Sequence, residues 1–298
     1  MPPSRKGPEG FESFYASIYG ERWEILRVSL SAPVLQVSRI NRFSDPAKLM
    51  ARGETIPRGV LAGAEVLKTK IEPQFDSNSL LDVYIMDAAS IFAAAALEVQ
   101  DGDEVLDLCA APGGKSLILA ERMGETGRLT CNELSDRRRG RLRGVLGDYL
   151  PEAILARTNV TGHDGTRWCL HETEAYDRIL LDAPCSGERH LINSPEEMKL
   201  WSPARSKNLA IRQYSLLASS LAVVRLGGRI VYSTCSISPL ENDAVISRLL
   251  KKREGEARVV KSEFEIGEST EHGWTILPDQ TGYGPIYFSI LEKLTVSN

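Results

Sequence analysis

The sequence predicts an α/β fold built on an open, mostly parallel sheet. Three observations carry that prediction. From about residue 85, short strand-like apolar runs alternate with segments of helical length. Such alternation marks a parallel sheet covered by helices. The run Arg178–Leu181 is nearly all apolar, as a strand buried on both faces should be. A glycine turn, Pro112-Gly-Gly-Lys115, joins the first of these strands to a helix, where ligands sit in this architecture.

The elements follow in order. Phe11, Phe14, Tyr15, Ile18 and Tyr19 recur at helical spacing, which predicts a first short helix. Ile25 to Leu30 continues it or forms a second. The stretch holding Pro33, Pro46, Pro57 and Pro73 reads as loops and short helices. Asp87 is placed to cap a helix running to about Glu98. A strand at Glu104–Leu108 and a helix from about Lys115 to Arg122 flank the glycine turn. A second strand, Arg128–Glu133, leads into a helix over Arg137–Leu150. Its residues Leu142, Val145, Leu146, Tyr149 and Leu150 share one face. A third strand is expected near Ala153–Asn159, and the fourth is Arg178–Leu181. A long helix around Lys207–Val224 precedes Gly227-Gly228 and a fifth strand, Arg229–Ser233. Asn242–Lys251 reads as helix, and Trp274–Leu277 and Ile286–Leu291 as strands.

Composition narrows the class. At 298 residues the chain fits one large domain or two smaller ones. With 42% hydrophobic residues it can bury a core without a disulfide or metal staple, which excludes intrinsic disorder. A net charge of −4 disfavours a simple basic nucleic-acid-binding module. No apolar run approaches a membrane span. The start, MPPSRKGPEGFES, lacks the apolar stretch of a secretory signal. The 5 cysteines form no CxxC and match no zinc or disulfide framework. That pattern points to a reducing compartment, a free thiol and no metal.

The chemistry gathers at strand ends. The glycine turn lacks the G-x-G-x-x-G of dehydrogenases, and a phosphate loop would need glycine where Cys109 stands. Gly113 and Gly114 let backbone approach a ligand closely. Glu133 ends the second strand, where a carboxylate can accept bonds from ribose hydroxyls. Asp164-Gly165 follows the third strand and Asp182 ends the fourth. Together these describe a nucleoside pocket. Cys185, after Asp182-Ala-Pro, and Cys235, after Ser233-Thr, follow the fourth and fifth strands. Buried structural cysteine is the commoner fate of the residue, but both lie where a sheet presents its ligands. Cys109, Cys131 and Cys169 read as structural, with Cys109 meeting a ligand through its backbone.

These segments resemble the Nop/Sun family of S-adenosylmethionine-dependent RNA cytosine-5 methyltransferases. DLCAAPGGKS is similar to its cofactor motif, DAPCS to its proline–cysteine motif and STCS to its second cysteine motif. The match runs from about Asp87 to Val245, and the tail Trp274 to Lys293 also fits. Ile85-Met-Asp-Ala-Ala-Ser90, Arg27-Val-Ser-Leu30 and Gly284-Pro-Ile-Tyr-Phe288 resemble the members acting on animal mitochondrial rRNA or tRNA. The resemblance implies a Rossmann-like class I methyltransferase domain over 81–298, mostly parallel with antiparallel C-terminal strands. The residues before it, 1–80, read as a short, mainly helical and irregular N-terminal region, a candidate for RNA or partner contacts. The implied activity is methyl transfer from S-adenosylmethionine to C5 of cytosine in RNA, rRNA before tRNA. The implied location is the mitochondrial matrix, otherwise the cytoplasm.

Carried over by position, the cofactor contacts fall on Cys109, Ala110, Ala111, Pro112, Gly113, Gly114, Lys115, Glu133, Arg138, Asp164, Gly165 and Asp182. Glu133 departs from a frequent Asp, and ribose binding survives that change. The nucleophile falls on Cys235, with Cys185 assisting product release. DNA cytosine-5 methyltransferases place the nucleophile in the proline–cysteine motif instead, which selects Cys185. Asp182 is the candidate to protonate or hydrogen-bond cytosine N3. Arg189, His190, Lys199, Arg205, Lys207 and Arg212 lie at or between the two cysteine motifs, in position to flank an RNA cleft. Arg137, Arg138, Arg139, Arg141 and Arg143 spread over more than one helix face. The −4 charge implies weak general capture of phosphates, and so a protein partner that supplies RNA affinity. The rival from another class is a catalytically silent RNA-binding or ribosome-assembly factor on the same fold. The intact cysteines and Asp182 argue against it.

Overall fold

The computed structural model of the chain describes residues 6–45, 47, 49, 58–67 and 69–294. Two helices come first, α1 (Gly7–Tyr19) and α2 (Arg22–Ser31). They form where expected because Phe11, Phe14 and Tyr15 on one, and Trp23, Leu26 and Leu30 on the other, make apolar stripes. Both stripes pack on Leu191 and Trp201, which follow the proline–cysteine motif in sequence, and on Ile237, next to the second cysteine motif.

The next segment differs from the expected loops and short helices. It contributes β1 (Gln36–Ile40), β2 (Arg58–Leu61) and β3 (Ala64–Leu67). With β4 (Val83–Asp87) these form a four-stranded antiparallel sheet in the order β2-β3-β1-β4. Pro46 and Pro57 lie outside the described residues. Asp87 ends β4 and caps α3 (Ala88–Ala95), its carboxylate accepting from the Ala89 N–H.

The main sheet follows. Its parallel strands are β5 (Glu104–Asp107), β6 (Arg128–Asn132), β7 (Thr158–Thr161), β8 (Tyr176–Asp182) and β9 (Val224–Thr234). They lie in the order β7-β6-β5-β8-β9. The connecting helices include α4 (Gly114–Ala120), α5 (Asp136–Tyr149), α6 (Glu152–Leu155), α7 (Glu188–Ile192), α8 (Pro195–Lys199) and α9 (Pro203–Val223). After α10 (Asp243–Lys252) come the short β10 (Ala257–Val259) and β11 (Glu268–Ser269). β12 (Trp274–Ile276), α11 (Pro278–Thr281) and β13 (Ile286–Lys293) complete the elements. β13 pairs antiparallel with β9, so the C-terminal strands extend the parallel sheet in the opposite sense.

Two expectations need correction. The third strand is not at Ala153–Asn159: Pro151 starts the short helix α6, and the strand begins at Thr158. Gly227 and Gly228 lie inside β9 rather than before it.

The helices cover both faces of the sheet. Leu117, Leu142 and Leu146 pack on Val105, Leu129 and Leu180 on one face. Leu216, Leu217, Val245 and Leu249 pack on Leu106, Ile179 and Ile230 on the other. Strand order reverses beside β5, between β6 and β8. Such a switch point opens a crevice at the strand carboxyl ends.

Candidate active site

The crevice is walled first by the glycine turn. Gly113 has φ +122°, and an added Cβ would come within 2.9 Å of Val145 Cγ1. A Cβ at Gly114 would lie 2.5 Å from Tyr84 Cε1. The turn therefore sits tightly between α5 and β4, which only glycine permits. Gly113→Ala should lower stability by roughly 1–3 kcal/mol. A thermal melt checks this, and an unchanged midpoint would show that the turn relaxes freely.

One cavity of about 420 Å³ is lined by Cys109, Glu133, Arg138, His163, Gly165 and Arg212. Glu133 is nearly buried; its Oε1 accepts from the Ser135 N–H and its Oε2 faces Arg138 Nη1 at 3.2 Å. Arg138 Nη2 also donates to the Ala111 carbonyl at 2.7 Å, linking the second strand end to the glycine turn. Asp164 instead turns its carboxylate to its own loop, accepting from the Thr166 N–H and hydroxyl.

A second cavity of about 200 Å³ adjoins the first at Cys109. Tyr84, Met86, Ser90, Asp107, Lys115 and Asp182 line it. Lys115 Nζ donates to Asp182 Oδ2 at 2.8 Å, and Ser233 Oγ donates to Asp182 Oδ1 at 2.7 Å. Burial pulls the Lys115 ammonium down, but Asp182 outweighs it, and the net effect is upward. Asp107 is fully buried, accepts from Ser116 Oγ at 2.7 Å, and leaves Oδ1 without a hydrogen-bond partner. Burial, with Asp182 adding and Ser116 opposing, pushes its carboxyl up to about 7.

The two expected cysteines meet at the open end. Asp182 pairs with Ser233 in the register of β8 and β9, so the turns that follow run side by side. Cys185 Sγ and Cys235 Sγ are 2.8 Å apart. Cys235 is exposed and Cys185 half-buried. The hydrogen bond to Cys235, then burial, pushes the Cys185 thiol well above its usual value. Burial does the same to Cys109. Outside Cys235 lies a groove of about 550 Å³ lined by Ala32, Pro33, Val34, Arg189, His190 and Pro285.

The basic candidates separate. Arg189 and His190 border this groove. Arg189 also donates to the Ser29 and Ala32 carbonyls at the end of α2. His190, Lys199 and Arg205 engage acidic neighbours, Glu197 or Glu196. Lys207 is exposed on the first turns of α9. Arg212 is not at the groove but lines the cavity of Glu133.

Sequence reasoning passed over Tyr84, Met86, Ser90 and Asp107 as site residues. Asp107 carried a usable signal, because it ends the first parallel strand. Nothing local reveals that β4 lies against the glycine turn.

Comparisons with known proteins identify the family and the fold. A family profile described as 16S rRNA methyltransferase RsmB/F matches residues 94–292. The chain is 31% identical to the mouse "5-cytosine rRNA methyltransferase NSUN4", covering 98% of this chain and 89% of that protein. It is 33% identical to the mouse "tRNA (cytosine(34)-C(5))-methyltransferase, mitochondrial", covering 95% and 89%. A methyltransferase homologue from Pyrococcus horikoshii superposes with a TM-score of 0.76 at 24% identity, covering 95% of each chain.

Proposed function

The chain belongs to the 16S rRNA methyltransferase RsmB/F family, and from that premise we propose that it methylates C5 of cytosine in RNA through a covalent adduct on Cys235. The observation that carries the reading is the pair of thiols 2.8 Å apart at the ends of adjacent strands, beside the cleft. rRNA is the favoured substrate and tRNA the second, since relatives of both kinds align over nearly the whole chain. The second of these relatives, named as mitochondrial, favours a mitochondrial location. Among the described residues no helix is long and apolar enough to cross a membrane.

S-adenosylmethionine fits the donors and acceptors of the cleft and, when bound, supplies an electrophilic methyl group. Glu133 is placed for ribose hydroxyls. The orphaned Asp107 Oδ1 suits the ammonium of the amino-acid end.

Cytosine C5 is too weak a nucleophile on its own. Addition of the Cys235 thiolate to C6 forms an S–C6 bond and moves electron density to C5. Cytosine N3 is an acceptor, so Asp182 eases that addition as the acid, its carboxyl proton bonding N3 and passing to it as charge builds on the ring. Lys115, bonded to Asp182, holds that carboxyl group in place. Once C5 carries the methyl, a base removes its proton, the ring double bond re-forms, and the S–C6 electrons return to Cys235. Cys185, kept as a thiol, donates to the departing sulfur. The target base must be single-stranded or extruded to reach the groove. The net charge of −4 favours a protein partner that adds RNA affinity. Transfer of labelled methyl to rRNA and tRNA, with mapping of the modified cytosine, tests the activity; no label on either RNA contradicts it.

Asp107 gives a pH signature. Burial pushes its carboxyl up to about 7, and a cationic ammonium prefers it ionised. Binding of S-adenosylhomocysteine should therefore weaken about tenfold per pH unit below about 7 and level off above it. Asp107→Asn should flatten the profile. Calorimetric titration checks this, and a flat wild-type profile would remove the ammonium from Asp107.

A further inference from the structure

The mechanism leaves two fully buried carboxylates unused. Glu188 lies in the first turn of α7 and Glu241 just before α10, and both have 0% exposure. They meet behind the cysteine turns, with Ser186 (next to Cys185) and Ser236 (next to Cys235) between them. Glu241 Oε2 accepts from the Ser186 N–H and from Gln213 Nε2, each at 2.9 Å. Glu188 Oε2 accepts from the Ile237 N–H at 3.1 Å. Its Oε1 accepts from the Tyr15 hydroxyl at 2.6 Å and from Ser236 Oγ at 3.1 Å. Ser186 Oγ bonds Glu188 Oε1 and Glu241 Oε1, and lies 3.0 Å from Ser236 Oγ.

A hydroxyl has a single proton to give. Ser186 can donate to one carboxylate only. Toward the other it must accept, so that carboxyl carries a proton. Two ionised carboxylates around one oxygen in a dry interior would repel, and retaining one proton relieves this. Burial, with Glu241 beside it, raises Glu188 above the usual carboxylate range.

We propose that Glu188 and Glu241 share one proton and act as a positioning pair for the two cysteines. The pair clamps the turn after β8 to the turn after β9 and holds Cys185 against Cys235. Its single negative charge sits behind Cys185 and adds to the Cys235 hydrogen bond and burial that keep that residue a thiol. The proposal rests on the cysteine chemistry argued above and names what sustains it. The other titratable groups around the pair are Tyr15 and Tyr19 from α1, Tyr232 from β9 and the cysteines themselves. Burial raises all three tyrosines, so they stay neutral as the pair titrates.

Thiol alkylation tests this without RNA or cofactor. In a Cys235→Ala background, the rate of Cys185 alkylation by iodoacetamide is followed against pH. Glu188→Gln and Glu241→Gln each leave one carboxylate free to ionise, hence the same charge. Neither should move the midpoint. The double Gln variant removes the charge, and its midpoint should fall by about one pH unit. With Cys235 restored, the double variant should lose methyl transfer by about tenfold or more while still binding S-adenosylhomocysteine. A single variant that shifts as far as the double, or a double that shifts nothing, overturns the proposal. If the double variant does not fold, the single ones decide: a shared proton predicts two silent substitutions, and independent charges predict two shifts. A failure of the RNA reading would leave the alkylation result standing, so the two failures are distinguishable.

Discussion

Cys235→Ala should reduce methyl transfer by roughly 10⁴-fold or more, the scale seen when a covalent nucleophile is removed. The neighbouring thiol is not placed to replace it: Cys185 is half-buried and held as a thiol by its hydrogen bond to Cys235 and by burial. The exposed thiol is the one that faces the groove. Binding of S-adenosylhomocysteine should survive, because Cys235 lines neither cofactor cavity. Cys185→Ala should behave differently. Addition and methyl transfer proceed, but release slows, and an RNA–protein adduct that resists denaturation should accumulate. Labelled methyl transfer and denaturing gels read both outcomes. Full activity in Cys235→Ala together with loss in Cys185→Ala would move the nucleophile to the proline–cysteine motif.

Asp182→Asn is the second large effect. The amide keeps the shape but cannot hold a negative charge beside Lys115, whose side chain is only 14% exposed. It also cannot pass a proton to cytosine N3. Methyl transfer should fall by about 10²–10⁴-fold. The fall should appear mainly in kcat, since Glu133 and the glycine turn still hold the cofactor. Steady-state kinetics with cofactor and RNA varied in turn would show this. A change confined to the KM for cofactor would make Asp182 a binding residue only.

Much of the site was legible because its chemistry is local in sequence. Each parallel strand ends in a candidate site residue within a few positions, and the glycine turn announces a close backbone approach. Glu133, Lys115, Asp182, Cys185 and Cys235 fall together for that reason. The N-terminal sheet was hidden for the opposite reason. β1 pairs with β4 across a long separation in sequence, and β1 buries Ser38 and Arg39. Arg39 is tolerated because Glu121 meets it at 2.5 Å, but a buried arginine spoils the apolar alternation of a half-buried strand. The third strand was misplaced because Ala153 to Leu155 is apolar in either state, and Pro151 decides for helix. The Glu188–Glu241 pair was out of reach, since a lone Glu in a sequence reads as surface charge.

The most direct measurement uses RNA carrying 5-fluorocytidine at the target, where the C5–F bond blocks the final elimination. The protein, its cofactor and this RNA should give a stable covalent complex. Mass spectrometry of the digested complex should place the nucleotide on the peptide containing Cys235. A nucleotide on Cys185, or methylated product from ordinary RNA with no adduct on either cysteine, would contradict the covalent mechanism assigned to this site.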